Sequence, residues 1–302
     1  MNRSAVVALM SLGPLWWILR HRRSDVVRRW RAPHPGGRSV DGLYFRTAGD
    51  GDTVFVLLHG LVATGDVFGA EFDTLANEGK LVVPDLLGFG RSLDETRSTF
   101  GAEQHLDALD RLMDELGVGS RPIVVGAHSM GSALAVRWAE RRGIQIRRVV
   151  GWGAPVYRNA AQVEEEVASM GTMARLLAGN TRAAELACKL NCRHRKPAGW
   201  LAALAAPEIP VQIARAASLH TWPAYRDAMS DVVGGTDWAH VTRRVFANGT
   251  TIELTWGDGD AIGDRGFAGT LPGVRVTVVP GSGHHLPMAH PGRCLEQLRT
   301  VP

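Results

Sequence analysis

The residues best suited to chemistry are a serine, an aspartate and a histidine far apart along the chain. Ser129 stands in "RPIVVGAHSMGSALAVRWAERRG", residues 121–143, where an apolar strand-like run meets an alanine-rich helical pattern. A sharp strand-to-helix turn holds such a serine in an unfavourable backbone region and pushes its side chain out of the sheet. The turn needs small residues two positions to either side, because strand and helix backbones pass closely. Ala127 and Gly131 supply them, Ala127 replacing the first glycine of the usual Gly-x-Ser-x-Gly by the next smallest residue. A serine hydroxyl is a poor nucleophile at neutral pH and needs a base to take its proton. "VVPGSGHHLPMAHP" offers His284 and His285 as that base. The base needs a carboxylate to fix its tautomer and stabilise its charged form, and "LTWGDGDAIGD" offers Asp258 and Asp260. Ser, Asp, His is the chain order of this chemistry on an α/β sheet.

The elements around these residues alternate. "GLYFRTAG" and "TVFVLLHG" read as strands, "GAEFDTLANEG" as a short amphipathic helix, and Leu81 to Pro84 as a buried strand entering the loop "DLLGFG". "AEQHLDALDRLMDELG" has a helical period closed by Gly117, "RPIVVGA" and "QIRRVVGWG" are strands, and "MGSALAVRWAERRG" is a helix. Such alternation predicts a mostly parallel sheet with flanking helices. From residue 156 to about 245 the pattern is helical, including "GTMARLLAG" and "GWLAALAAPEIPVQIARAA". The strands "TTIELTWG" and "VRVTVVPG" and a closing helix "LPMAHPGRCLEQLRTV" then follow. The expected organisation is an arm over 1–38, a core over 39–155 and 246–302, and a helical insertion over 156–245 acting as a cap. The three candidate groups all fall beyond strand C-termini, where open α/β sheets bind ligands.

The chain has 302 residues and a net charge of +4, unevenly distributed. Residues 1–38 hold eight arginines and one acid, Asp25, so the rest of the chain is net acidic. A nucleic-acid binder would spread its basic patch over the fold, so nucleic acid is not an expected partner. The apolar run 5–19, "AVVALMSLGPLWWIL", lacks a convincing cleavage site after it. It is too short for a bilayer core and is interrupted by Pro14. Two readings stand: a helix packed on the protein's own surface, or peripheral membrane contact through residues 5–31, with Trp16 and Trp17 among headgroups. Three cysteines build no disulfide framework, which fits the cytoplasm, with membrane association of the arm as the open alternative.

Together, "LLHGLVATGDVF", "VVPDLLGFGRS", "VVGAHSMGSALA", "LTWGDGDAI" and "VVPGSGHHLPMAHP" resemble the α/β-hydrolase superfamily, in its capped, esterase- and lipase-like branch. The resemblance covers roughly residues 40–155 and 245–302, and implies an α/β-hydrolase fold with a helical cap inserted after strand 6. It implies Ser129 as nucleophile, His284 rather than His285 as base, and Asp260 rather than Asp258 as its carboxylate. The oxyanion hole would be the backbone N–H groups of Leu61, after His59-Gly60, and of Met130. His59 would hydrogen-bond within that loop, Asp85 would anchor the next one, and His128 has no catalytic role assigned.

The activity implied is hydrolysis of a carboxylic ester, with a hydrophobic small-molecule substrate and no cofactor. Carbon–carbon hydrolases, lactonases, cofactor-free peroxidases and non-catalytic binding proteins share the fold. No metal is expected. "DGDAIGDRGF" lacks the glutamate and the fifth ligand of a calcium loop, and Cys188, Cys192 and His194 have no common zinc spacing. Oligomeric state is not readable from the sequence.

Overall fold

A computed structural model describes residues 16–169 and 181–299. Most of residues 5–19 and all of "GTMARLLAG" lie outside that range. The short helix α1 (Asp25–Arg29) precedes β1 (Arg38–Val40), β2 (Leu43–Ala48), β3 (Val54–Leu58) and β4 (Lys80–Pro84). Next come α2 (Ala102–Glu115), β5 (Ile123–His128), α3 (Met130–Arg142) and β6 (Ile146–Trp152). Five helices follow: α4 (Ala160–Ser169), α5 (Arg182–Arg193), α6 (Arg195–Ala205), α7 (Val211–Ala216) and α8 (Trp222–Asp227). After α9 (Trp238–Ala247) come β7 (Thr251–Gly257), α10 (Arg265–Ala268), β8 (Val274–Val279), α11 (Leu286–Ala289) and α12 (Pro291–Arg299).

The eight strands form one sheet in the order β1-β2-β4-β3-β5-β6-β7-β8. From β4 to β8 neighbouring strands are parallel, and β2 runs antiparallel to both β1 and β4. Every residue of β3, VFVLL, is buried, as a strand covered by helices on both faces must be. On α2 the buried residues Leu106, Leu109, Leu112 and Met113 recur at helical spacing. Gly117 follows with φ +64°, the left-handed position that ends a helix.

Three elements depart from the sequence reading. The sheet starts at Arg38, where β1 pairs with β2, so the arm ends in a strand. Residues Ala70–Asn77 wind as a 3₁₀ helix whose buried residues, Phe72 and Leu75, stand three apart, the repeat of the tighter helix. The closing helix is two helices: His290 has φ −135° and ψ 54°. Pro291 disfavours helical backbone at the residue before it and cannot donate into the preceding turn.

The amino-terminal segment packs on the protein. Residues 16–23 are helical, with Trp17 Nε1 donating to Ala203 O at 3.3 Å and His21 Nδ1 lying 2.7 Å from Pro207 O. Ser24 Oγ donates to Glu208 O at 2.6 Å, and the buried Trp30 donates from Nε1 to Asp66 O at 2.9 Å.

Candidate active site

Ser129 follows the last residue of β5 and precedes α3. Its φ of +51° and ψ of −125° lie where non-glycine residues are rarely found, a local strain of about 1–3 kcal/mol. The surroundings impose it. Ser129 N donates to Trp152 O on β6 at 2.8 Å, and Ser132 N donates to Ser129 O at 2.8 Å. A Cβ on Gly131 would lie 2.4 Å from Leu58 O and 2.7 Å from His59 O, so only glycine lets α3 cross the end of β3. Ala127 is fully buried between Leu58 of β3 and Gly151 of β6. Gly126 is as confined: a Cβ there would fall 2.8 Å from both the Leu57 and the Trp152 side chains.

The β7 and β8 loops bring the acid and the imidazole together. Asp258 N donates to Val279 O and Gly259 N to Ser282 O, stitching one loop to the other. His284 Nδ1 lies 3.1 and 3.0 Å from the two carboxylate oxygens of Asp260. A carboxylate only accepts, so Nδ1 carries the proton and Nε2 keeps its lone pair. Asp260 is buried, and its Oδ1 also accepts from Ile262 N at 2.9 Å. Asp258 instead receives Ser282 N at 3.1 Å and stands at the surface. His285 meets neither acid, and burial lowers its pKa to about 4, with His284 adding to the effect. Gly153, with φ +61°, backs the pair: a Cβ there would sit 2.7 Å from His284 Nδ1 and 2.9 Å from Asp260 Oδ2.

Ser129 and His284 line one cavity of about 220 Å³ with Gly60, Leu61 and His128. Among the described residues the Ser129 hydroxyl has no hydrogen-bond partner. The backbone N–H groups of Leu61 and Met130 have no acceptor among them either, the latter because it opens a helix. Apart from His285, apolar side chains cover the rest of the wall, among them Val62, Val67, Ile209, Ile213 and Met288.

The loop after β3 is held by His59 and Asp85. His59 Nε2 accepts from Leu86 N at 2.8 Å, so Nδ1 donates to Gly60 O at 2.7 Å. Burial lowers the pKa of this ring, which keeps it neutral in that tautomer. Asp85 accepts from Gly65 N, from Arg91 N and from the Arg91 guanidinium. Burial pushes its carboxyl pKa up, and the Arg91 bonds outweigh this and hold it down.

Two participants escaped the sequence reading. Val62, on the cavity wall, has φ +48°, unfavourable for a β-branched residue; no local motif signals it. His128, assigned no role, lies with Nε2 3.0 Å from His284 O. Its Nδ1 is buried without a partner, and burial drives its pKa well below that of a free imidazole. Cys188 and Cys192 form a separate group near the loop after β4: Cys188 Sγ lies 3.8 Å from Cys192 Sγ and 3.4 Å from His220 Nε2.

Comparison with known proteins agrees with this architecture. The sequence model of the Alpha/beta hydrolase family matches residues 55–297. The chain is 33% identical over 132 residues to the magnesium-chelatase 30 kDa subunit of Rhodobacter capsulatus, covering 44% of this chain and 43% of that protein. It thus spans under half the length of that relative. It is 28% identical over 225 residues to a probable lysophospholipase, BODYGUARD 4, of Arabidopsis thaliana, covering 68% of this chain and 52% of that one. A solved esterase from Thermogutta terrifontis superposes with a TM-score of 0.59 at 21% identity, covering 85% of this chain and 94% of the other. With the family profile running from β3 into α12 across an eight-stranded, mostly parallel sheet, the chain belongs to the alpha/beta hydrolase family.

Proposed function

We propose that the protein is a serine hydrolase that cleaves a carboxylic ester with an apolar acyl or alcohol group. The observation that carries this reading is the His284–Asp260 pair, whose imidazole shares a cavity wall with a strained, unpartnered Ser129. Ser129 Oγ attacks the ester carbonyl carbon as His284 Nε2 takes its proton, with Asp260 stabilising the imidazolium. The oxyanion accepts hydrogen bonds from Leu61 N–H and Met130 N–H, fixed donors whose loss costs about 3 kcal/mol each in comparable sites. The intermediate expels the alcohol, which takes the proton from Nε2. Water, deprotonated by the same nitrogen, then releases the acid and restores Ser129. The Ser129–His284 hydrogen bond forms as substrate enters, since catalytic hydrogen bonds commonly tighten only in the complex.

The helices between β6 and β7 serve as a cap in this reading. Ala202 and Ala206 of the α6 region, and Ile213 and Ala214 of α7, form the apolar ceiling over Ser129. The cavity, about 220 Å³, is smaller than the roughly 300–1,000 Å³ of pockets for drug-sized ligands. Short to medium acyl groups fit it best.

A fluorophosphonate probe tests the nucleophile: it labels the wild type and fails to label Ser129→Ala. Labelling that survives in the variant removes Ser129 from this role. A p-nitrophenyl ester series from acetate to palmitate, run beside a lactone and a vinylogous diketone, tests the bond. Turnover of the diketone or lactone without turnover of any ester overturns the ester reading.

A further inference from the structure

Large apolar side chains at the surface are unevenly placed. Among the described residues the exposed ones are Trp16, Ile18, Leu19, Leu186, Leu190, Trp200, Leu201 and Leu204, with only Ile144, Phe246 and Val278 elsewhere. Scattered exposed leucines need no explanation, but clustered ones mark an interaction surface. Helix 16–23 lies along the end of α6, joined by Trp17 to Ala203 and His21 to Pro207. These contacts turn Trp17 and His21 inward and leave Leu19 on the opposite face, 45% exposed. On α6 the residues at cavity positions are small, Ala202 with Ala206 just beyond its end. The other face carries Trp200, Leu201 and Leu204, each more than half exposed. A helix apolar all round belongs in an apolar environment on both sides, and α6 has one on the cavity side only.

Charge says what covers the other side. Helix 16–23 and residues 182–208 carry Arg20, Arg22, Arg23, Arg182, Lys189, Arg193, Arg195 and Lys196 against Glu185 and Glu208; Lys189 pairs with Glu185, Arg195 with Glu95 and Arg20 with Glu208, which leaves the face net positive. Arg20, Arg22, Arg23, Arg193 and Lys196 are exposed. Arg20 stacks on Trp16 with 5.4 Å to the ring, and Arg215 on Trp200 with 4.3 Å. Tryptophan and leucine rimmed by arginine is the composition that settles at the boundary of an anionic bilayer. A second copy of the chain would bring the same positive charge against itself in a two-fold pairing. No helix among the described residues is long and apolar enough to cross a membrane, so contact through this face would be peripheral.

We propose that helix 16–23 and the outer face of α6 form one docking surface for an anionic lipid bilayer. It sets the helix that roofs the Ser129 cavity directly against the membrane. Exposure and charge alone carry this assignment, independently of the hydrolase reading.

Co-sedimentation of the full chain with phosphatidylcholine vesicles, with and without about 30 mol% phosphatidylglycerol, tests it. The wild type is expected to bind the anionic vesicles and to release in high salt. Leu201→Gln/Leu204→Gln and Arg20→Gln/Arg22→Gln/Arg23→Gln should each weaken binding by at least about tenfold. Both variants should keep wild-type hydrolysis of a soluble p-nitrophenyl ester. Absence of wild-type binding, or binding by both variants equal to that of the wild type, overturns the proposal. So does binding that arises only after residues 1–15 are deleted, which would make the chain's own start the occupant. A dimer in sedimentation velocity that the leucine variant dissociates overturns it as well. Loss of soluble-ester turnover in every form would instead count against the hydrolase reading and leave the vesicle result standing.

Discussion

His128 Nε2 lies 3.0 Å from the main-chain oxygen of His284, so the residue immediately before Ser129 holds the loop that carries the imidazole. The carbonyl only accepts, which puts the His128 proton on Nε2. His128→Gln can present an amide N–H near the same point, whereas His128→Leu leaves a buried acceptor unpaired. The glutamine variant is expected to keep kcat within a few-fold of wild type, and the leucine variant to lose about tenfold or more with KM little changed. Equal kcat for both would show that the clamp does not position His284.

Gly153 leaves room for the acid–base pair. An added Cβ would fall 2.7 Å from His284 Nδ1 and 2.9 Å from Asp260 Oδ2, at a φ that disfavours side chains. Gly153→Ala should therefore lower kcat by about a hundredfold, the scale set by an ångström of misplacement. Fluorophosphonate labelling should slow in parallel, and thermal unfolding shows whether the fold persists. Full activity in this variant would mean that the pair tolerates displacement.

Asp260 and Asp258 separate cleanly. Asp260→Asn offers His284 Nδ1 a donor or a neutral acceptor, which favours the wrong tautomer and should reduce kcat by about 10⁴. Asp258 accepts backbone N–H groups of its own loop pair, Ser282 N among them, bonds that the Asn side-chain oxygen can still accept. Asp258→Asn should leave kcat within a few-fold, measured on the same soluble ester. The reverse ranking would transfer the role to Asp258.

Acid should destabilise the protein before its carboxylates protonate. Burial lowers the pKa values of His285 and His220 to about 4 and of His105 to about 3. Unfolded, each imidazole titrates near 6.5. Between about 6.5 and 4 the unfolded chain therefore binds more protons, and stability falls as pH falls, by up to about 1.4 kcal/mol per pH unit for each ring. Above 6.5 this contribution is fully present. Calorimetry from pH 7.5 to 4.5 should show Tm falling through that window, with a shallower slope in His105→Leu. A Tm that is flat down to pH 4.5 would contradict the buried neutral state of these rings.

Much of this site was legible because its chemistry obeys local rules. Ser129 betrayed itself by a strand run, a helix run and small flanking residues, and the structure places it at φ +51° between β5 and α3. The ends of two strand patterns offered Asp258 or Asp260 and His284 or His285, the family resemblance chose Asp260 and His284, and the side chains of that pair meet. The surroundings were not legible in the same way. Gly153 looks like any glycine after a strand, and its need arises from groups more than a hundred positions further along. Val62 at φ +48° breaks a local preference that a sequence reading relies upon. Leu201 and Leu204 lie in a stretch read only as part of an apolar helical cap, and the placement of α6 reveals that they face outward.

The segment Ser24–Trp30 ties together three parts of the molecule. Ser24 reaches Glu208 beyond α6, Arg29 donates to Ala289 O at the end of α11 at 2.9 Å, and Trp30 reaches Asp66 O beyond the β3 loop. The stretch after α6, the end of α11 and the stretch beyond the β3 loop are thus laced by a single short cord. Shortening the protein at its arginine-rich beginning to improve handling would cut that cord. The walls of the Ser129 cavity would then be free to drift apart, with every lining residue still in the chain.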